Sequence, residues 1–161
     1  MSVFRPTPAP RAERPLDQAL REVHDAWVHE ARCLLEPAMA PAADFWTRWA
    51  AVRYLDDVFR DRYDLERGLL AELRPLLAPT VAERLAREGD RVFQLRLELD
   101  RLGRRRGTGA EVADGARVLL EQLELWLVMI EQGVAGLTRD RLAPEGASLL
   151  AHLEAARPAT A

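Results

Sequence analysis

The sequence predicts an all-α protein: an antiparallel up-down-up-down four-helix bundle with a short C-terminal fifth helix and a flexible N-terminal tail. Three observations indicate this fold class. Apolar residues recur at helical spacing along four long segments, strand-like alternation is almost absent, and the connections are short. A length of 161 residues suits one domain, and 48% hydrophobic with 30% charged residues excludes a disordered chain.

The N-terminal segment, residues 1–15, is rich in proline and lacks a continuous apolar stretch. It therefore predicts a flexible tail and not a secretory signal, with the bundle over residues 16–156. The first helix is predicted over Leu16 to Glu36, ended by Pro37 and Pro41. Its inward face is predicted to carry Leu16, Leu20, Val23, Trp27, Ala31 and Leu34.

The second and third helices have recognisable starts. Asp44 is a good N-cap for the second helix, which should end before Pro75. Its inward face is predicted to be Phe45, Trp49, Val52, Leu55, Phe59, Leu69 and Leu73. Thr80 and Glu83 have the spacing of a capping box, which predicts the start of the third helix. The inward face there is predicted to be Val81, Leu85, Val92, Leu95, Leu99 and Leu102.

Thr108 and Glu111 repeat the capping-box spacing and predict a fourth helix that runs to about Leu142. Its inward face is predicted to carry Val112, Leu119, Leu123, Trp126, Ile130, Val134 and Leu137. Pro144 then precedes the short fifth helix, which is predicted over Glu145 to Ala156.

Five polar residues fall on or beside these apolar faces: His24, Arg62, Glu66, Glu88 and Glu131. Counting from the predicted helix ends, at 1.5 Å per residue, places all of them roughly 10 to 17 Å from the same end of an antiparallel bundle. Scattered polar substitutions would not share a depth. The pattern therefore predicts one internal polar site.

This arrangement resembles the hemerythrin-like, or HHE cation-binding, family, whose four-helix bundles hold a di-iron centre with inward His and carboxylate ligands. The similarity extends over about Leu16 to Leu153. His24 in LREVHDAWVHEARCLLE matches the first ligand, Glu66 in RYDLERGLLAEL matches the carboxylate of the second helix, and Glu131 in WLVMIEQGV matches that of the fourth. The family's remaining histidine positions are occupied by Arg62, Glu88, Val92 and Trp126.

Valine and tryptophan cannot ligate a metal, so the resemblance implies a bundle that has lost its di-iron site, and we expect no cofactor. Three carboxylates in one buried layer need a neutralising cation. We expect Arg62 to supply it by reaching Glu66 and either Glu88 or Glu131. His24 is expected to donate to a remaining carboxylate oxygen.

Two other interpretations of the polar residues stay open. Arg62 and Glu66 could form an i,i+4 pair at the solvent edge of the helix. Alternatively, a residual iron or manganese site could persist in a carboxylate-rich form, as in ferritin-like bundles. Its ligands would be His24, Glu66, Glu88 and Glu131.

A second apolar line on the fourth helix, together with a tryptophan on the second, predicts a partner surface. Its residues are Val118, Leu125, Val128, Met129 and Trp46. Coverage by the fifth helix or by the N-terminal tail is the other interpretation. The expected function is a non-enzymatic structural or protein-interaction module, as a homo-oligomer or an accessory subunit of a larger assembly. The alternatives are a metal- or oxygen-linked sensor or oxidase, and a small-ligand regulator with a pocket beside Trp126.

Other function classes find little support in the sequence. A net charge of -3 argues against a general nucleic-acid binder. The most apolar window, VLLEQLELWLVMI, is too short and too charged to span a bilayer, so we expect a cytoplasmic protein. The sequence contains no Ser/His/Asp pattern and no phosphate-binding glycine loop, so neither of these enzyme signatures is present. Cys33, His29 and His152 are placed on flanking faces, at no ligand spacing, and receive no assignment.

Overall fold

The computed structural model describes residues 16–105 and 107–137, and every regular element in these ranges is helical. The elements are α1 (Leu16–Met39), α2 (Phe45–Tyr54), a π-helical segment (Leu55–Phe59), α3 (Arg60–Leu73), α4 (Pro79–Arg104) and α5 (Gly109–Ala135). Because α2, the π-helical segment and α3 follow without a break, the described chain forms four helices. The all-α class is confirmed, whereas the predicted tail and fifth helix lie outside the described residues.

The end of α1 differs from the prediction. Pro37 lies inside the helix, which continues to Met39. The buried side chain of Ala38 packs against the core and holds this last turn in place. In the same region Leu35 is fully buried while Leu34 is exposed, so Leu35 occupies the inward position predicted for Leu34.

The second helix begins where the sequence predicts but turns a different face inward. Asp44 caps it by accepting from the Thr47 backbone N–H at 2.7 Å. Phe45 and Trp49, predicted to be inward, are 61% and 38% exposed. The cause lies in the π-helical segment Leu55–Phe59, which adds one residue to a turn and rotates the faces before and after it by roughly 100° relative to each other.

A buried arginine from α4 holds the π-helical segment. The Nε of Arg96 donates to the Leu55 carbonyl oxygen at 3.0 Å, and Nη2 donates to Asp56 Oδ1 at 3.3 Å. The rotation accounts for the burial of Tyr54, which precedes the segment and lies off the inward face that a continuous 3.6-residue period predicts. Tyr63, which follows the segment, is also buried, one turn after Phe59 and one turn before Glu66.

The start of α4 corrects one capping prediction, and the start of α5 confirms the other. α4 begins at Pro79, after Ala78, without a side-chain cap, so the box predicted at Thr80 is absent. Proline suits the first helical position because its missing N–H would be unsatisfied there anyway. At α5, Glu111 N donates to Thr108 Oγ1 at 3.3 Å, and the Thr108 backbone N–H donates to Glu111 Oε2 at 2.8 Å.

The core lies where α5 packs against α1 and α4, and where α2 packs against α1 and α4. Trp126 is fully buried at its centre, and its Nε1 donates to the Leu85 carbonyl oxygen at 3.0 Å. Gly89 permits this close approach, because a Cβ there would lie 2.8 Å from Trp126 Cζ2. Val81, predicted inward, is exposed in the first turn of α4.

None of the helices in residues 16–105 and 107–137 combines the length and the apolar character needed to cross a bilayer.

Candidate functional site: a buried histidine between two carboxylates

A single imidazole joins three helices. His24 of α1 is 1% exposed. Its Nδ1 lies 2.8 Å from Oε1 of Glu131 on α5, and its Nε2 lies 3.0 Å from Oε1 of Glu66 on α3. Both ring nitrogens therefore face carboxylate oxygens at hydrogen-bond distance.

Helical spacing places these side chains inside the bundle. His24 lies between Leu20 and Trp27 on the buried face of α1. Glu66 lies between Tyr63 and Leu69 on the buried face of α3 and is 6% exposed. Because each polar residue is flanked by buried neighbours one turn away, it has no route to solvent along its own helix.

With both glutamates ionised, the geometry calls for a proton on each ring nitrogen of His24. A neutral imidazole carries one N–H, and its second nitrogen would then present a lone pair to a carboxylate, which is an acceptor only. Burial by itself lowers the pKa of His24, but the charge of Glu66 and the hydrogen bonds to Glu131 and Glu66 raise it overall, from 6.5 to about 9. His24 is therefore an imidazolium cation at neutral pH.

The two carboxylates differ in their contact with solvent. The Glu66 side chain is almost completely enclosed, whereas that of Glu131 is 15% exposed at the rim of the site. The Nε of Arg21, on the exposed face of α1, lies 3.6 Å from Glu131 Oε2. One buried cation and one solvent-facing arginine thus share the two negative charges, so the cluster is close to electrically balanced.

Arg62 has a partner that the sequence did not predict. Its Nε donates to Glu30 Oε2 at 2.8 Å, and Nη2 contacts Glu30 Oε1 at 3.3 Å, in a two-point pair between α3 and α1. Glu66 and His24 are in contact and so mark one level of the bundle. From that level Arg62 lies four residues, or about 6 Å, along α3, and Glu30 lies six residues, or about 9 Å, along α1. Arg62 is therefore nearly level with Glu30. Glu30 follows the inward Trp27 by three residues, or about one helical turn, and this spacing could have indicated that its carboxylate lies near the core.

Glu88 pairs with Gln122, which is not among the polar residues that the sequence predicts. Gln122 Nε2 donates to Glu88 Oε2 at 2.7 Å, between α5 and α4. Gln122 is buried, and its position three residues after the inward Leu119 could have indicated this. The structure thus joins three of the five predicted polar residues directly, while Arg62 and Glu88 have partners of their own beside them.

The residues of this layer do not fit a metal centre. Both ring nitrogens of His24 are engaged by carboxylate oxygens, at 2.8 and 3.0 Å, so neither nitrogen is directed at an open metal position. Val92 and Trp126, at two positions where the hemerythrin-like pattern has histidine, are both fully buried in the core. Within residues 16–105 and 107–137, no group of three or more His, Cys, Asp or Glu side chains could hold a metal ion.

The predicted partner surface is partly exposed. Val118, Leu125 and Val128 of α5 expose their side chains, whereas Met129 is half-buried and packs against the core. Trp46 of α2 is 73% exposed. It forms an edge-to-face contact with Phe45 at a centroid distance of 5.3 Å, so the start of α2 presents an aromatic group.

Comparisons with known protein families, with curated proteins and with solved structures found no match to this chain. The resemblance to hemerythrin-like proteins therefore stays a prediction from the residues themselves.

Proposed function

We propose that this protein is a non-enzymatic structural or protein-interaction module. In this proposal a histidine–carboxylate triad, formed by His24, Glu66 and Glu131, takes the place of a hemerythrin-like metal centre. One observation carries the proposal: both ring nitrogens of His24 face carboxylate oxygens, at 2.8 and 3.0 Å. A histidine that ligates metal or accepts a proton uses a free nitrogen lone pair. His24, protonated and held on both sides, acts instead as a fixed structural cation.

The proposal includes an up-down-up-down bundle. His24 of α1 pairs with Glu131 of α5, and Arg32 of α1 pairs with Glu124 of α5. As the residue number rises along α1, the residue number of its partner on α5 therefore falls. The same reversal relates α1 to α3 and α4 to α5. These contacts support neighbouring helices that run in opposite directions. The short fifth helix remains part of the prediction.

An interaction role is supported by the apolar side chains of α5. Val118, Leu125 and Val128 recur at intervals of seven and three residues on the exposed side of a helix whose other faces are buried. Apolar residues grouped on an exposed helix face are typical of partner surfaces. We propose a protein partner or a second copy of the chain as the occupant of this surface.

The test of the triad is the iron and manganese content of protein purified from cells grown with both metals, measured with a His24→Ala variant. We expect far less than one iron or manganese ion per chain in both proteins. One iron or manganese ion per chain, lost in His24→Ala, would favour the metal- or oxygen-linked sensor or oxidase instead.

The interaction role is tested by the double change Leu125→Glu and Val128→Glu, with Gln132→Glu on the exposed side of the same helix as the control. Sedimentation velocity of the protein purified from its own cells should show a complex that the double variant loses and the control retains. A monomer in all three preparations would contradict the interaction role.

A further inference from the structure

His29 and Cys33 form an exposed pair of donor atoms on α1, outside the buried site. They lie four residues apart, which is one helical turn, so both project from the same face. Cys33 Sγ lies 3.6 Å from His29 Nε2. The sequence predicts no ligand spacing for these two residues, whereas their donor atoms are in contact across one helical turn.

The separation of the two donor atoms is the one that a zinc ion imposes. Zinc binds thiolate sulfur at about 2.3 Å and imidazole nitrogen at about 2.0–2.1 Å, in tetrahedral geometry. Two such ligands on one ion are then about 3.6 Å apart. The observed Sγ to Nε2 distance of 3.6 Å matches this value, so the two donor atoms already have the separation that a shared ion requires.

We propose that His29 and Cys33 are two of the four ligands of a zinc site, and that the same pair on a second copy of the chain supplies the other two. The Cys33 thiol releases its proton to solvent as the zinc–sulfur bond forms, and His29 binds through the lone pair of Nε2. Two thiolates then balance the 2+ charge of the ion, as in a structural Cys2His2 site.

A second copy is the occupant that the surroundings favour. In the described part of the chain no third His, Cys, Asp or Glu joins this pair to form a metal-binding group, and an identical pair on a second copy would complete a set of four ligands. Both residues are exposed and accessible to another chain. A two-fold axis beside α1 would bring two identical pairs together. The neighbouring Arg32 donates to Glu124 at 2.9 Å, so its charge is compensated within the chain.

The test uses the full chain, kept reduced, with Co²⁺ as the spectroscopic probe and Zn²⁺ as its competitor. We expect a thiolate-to-cobalt charge-transfer band, tetrahedral ligand-field bands, and their loss on zinc addition. Zinc should bind at one ion per two chains and double the sedimenting mass, and a chelator should reverse this. His29→Ala and Cys33→Ser should each bind zinc about a hundredfold more weakly, because one donor alone lacks the chelate effect.

The matched control is the double change Cys33→Ala and Leu34→Cys, which keeps one thiol on α1 but moves it five residues from His29. Position 34 is also exposed, so circular dichroism should confirm that all variants fold. The control should bind zinc as weakly as Cys33→Ser. Equal zinc affinity in the control and the unchanged protein would overturn the proposal. So would one ion per chain without a change in mass, or a mass increase that only a reductant reverses.

Discussion

Replacing His24 by glutamine removes a buried positive charge that lies 3.0 Å from the enclosed carboxylate of Glu66. The glutamine amide is neutral and carries both its N–H groups on one nitrogen, so it cannot bridge two carboxylates as imidazolium does. Loss of one partner from a buried ion pair costs about 3–5 kcal/mol. The rise of the His24 pKa from 6.5 to about 9 corresponds to a similar stabilisation, about 3 kcal/mol.

The assay is chemical denaturation at pH 7, followed by circular dichroism. With a chelator present to keep His29 free of metal, His24→Gln should lower the free energy of unfolding by about 3 kcal/mol, while the exposed control His29→Gln should change it by less than about 0.5 kcal/mol. Adding Glu66→Gln to His24→Gln should restore part of the loss, because it removes the unpaired charge. A His24→Gln protein as stable as the control, or a double variant less stable than the single one, would refute the reasoning.

The same stabilisation has a defined pH dependence. Because the pKa of His24 is higher in the folded protein than in the unfolded chain, its contribution is fully present below pH 6.5 and is lost as pH rises through about 9. The difference in unfolding free energy between the unchanged protein and His24→Gln should therefore narrow between pH 7 and pH 10. A difference that stays constant over this range would contradict a protonated His24.

Three further substitutions test a packing contact, a hydrogen bond between helices and a helix cap. Gly89→Ala should lower the unfolding free energy by about 1–2 kcal/mol in chemical denaturation, because the clash of its Cβ with Trp126 outweighs the gain in helix propensity; higher stability would contradict the tight packing. Arg96→Met should remove the hydrogen bond to the Leu55 carbonyl, cost about 1–3 kcal/mol and speed hydrogen exchange in the π-helical segment; unchanged exchange there would show that the arginine is dispensable. Thr108→Ala should cost about 1 kcal/mol and increase exchange only in the first turn of α5, whereas exchange along the whole helix would contradict a purely local cap.

Local and periodic signals were sufficient for part of this structure. Asp44 and Thr108 cap their helices as predicted, because a cap depends on a few consecutive residues. The three members of the triad were identifiable because His24, Glu66 and Glu131 each interrupt an apolar face at a similar depth. The sequence could also give the all-α class, since the helical period recurs over long segments.

The features that were predicted wrongly depend mainly on contacts between helices, which the sequence of one helix does not reveal. The π-helical segment is held by Arg96 of α4, and no feature of the second helix alone reveals the rotation that exposes Phe45 and Trp49. The pairing of Arg62 with Glu30 depends on the axial level of α1 relative to α3, which residue counting gives only approximately. At α4, Pro79 starts the helix ahead of the capping box predicted at Thr80.

We infer above all that His24 is a buried imidazolium that carries a proton on both nitrogens. The most direct measurement is a pH titration of ¹⁵N-labelled protein, in which NMR follows Nδ1 and Nε2 of His24, with His29 as an exposed reference. We expect both ring nitrogens of His24 to be protonated at pH 7, and its pKa to be about 9. A His24 pKa at or below 6.5, or one ring nitrogen without a proton at pH 7, would contradict it.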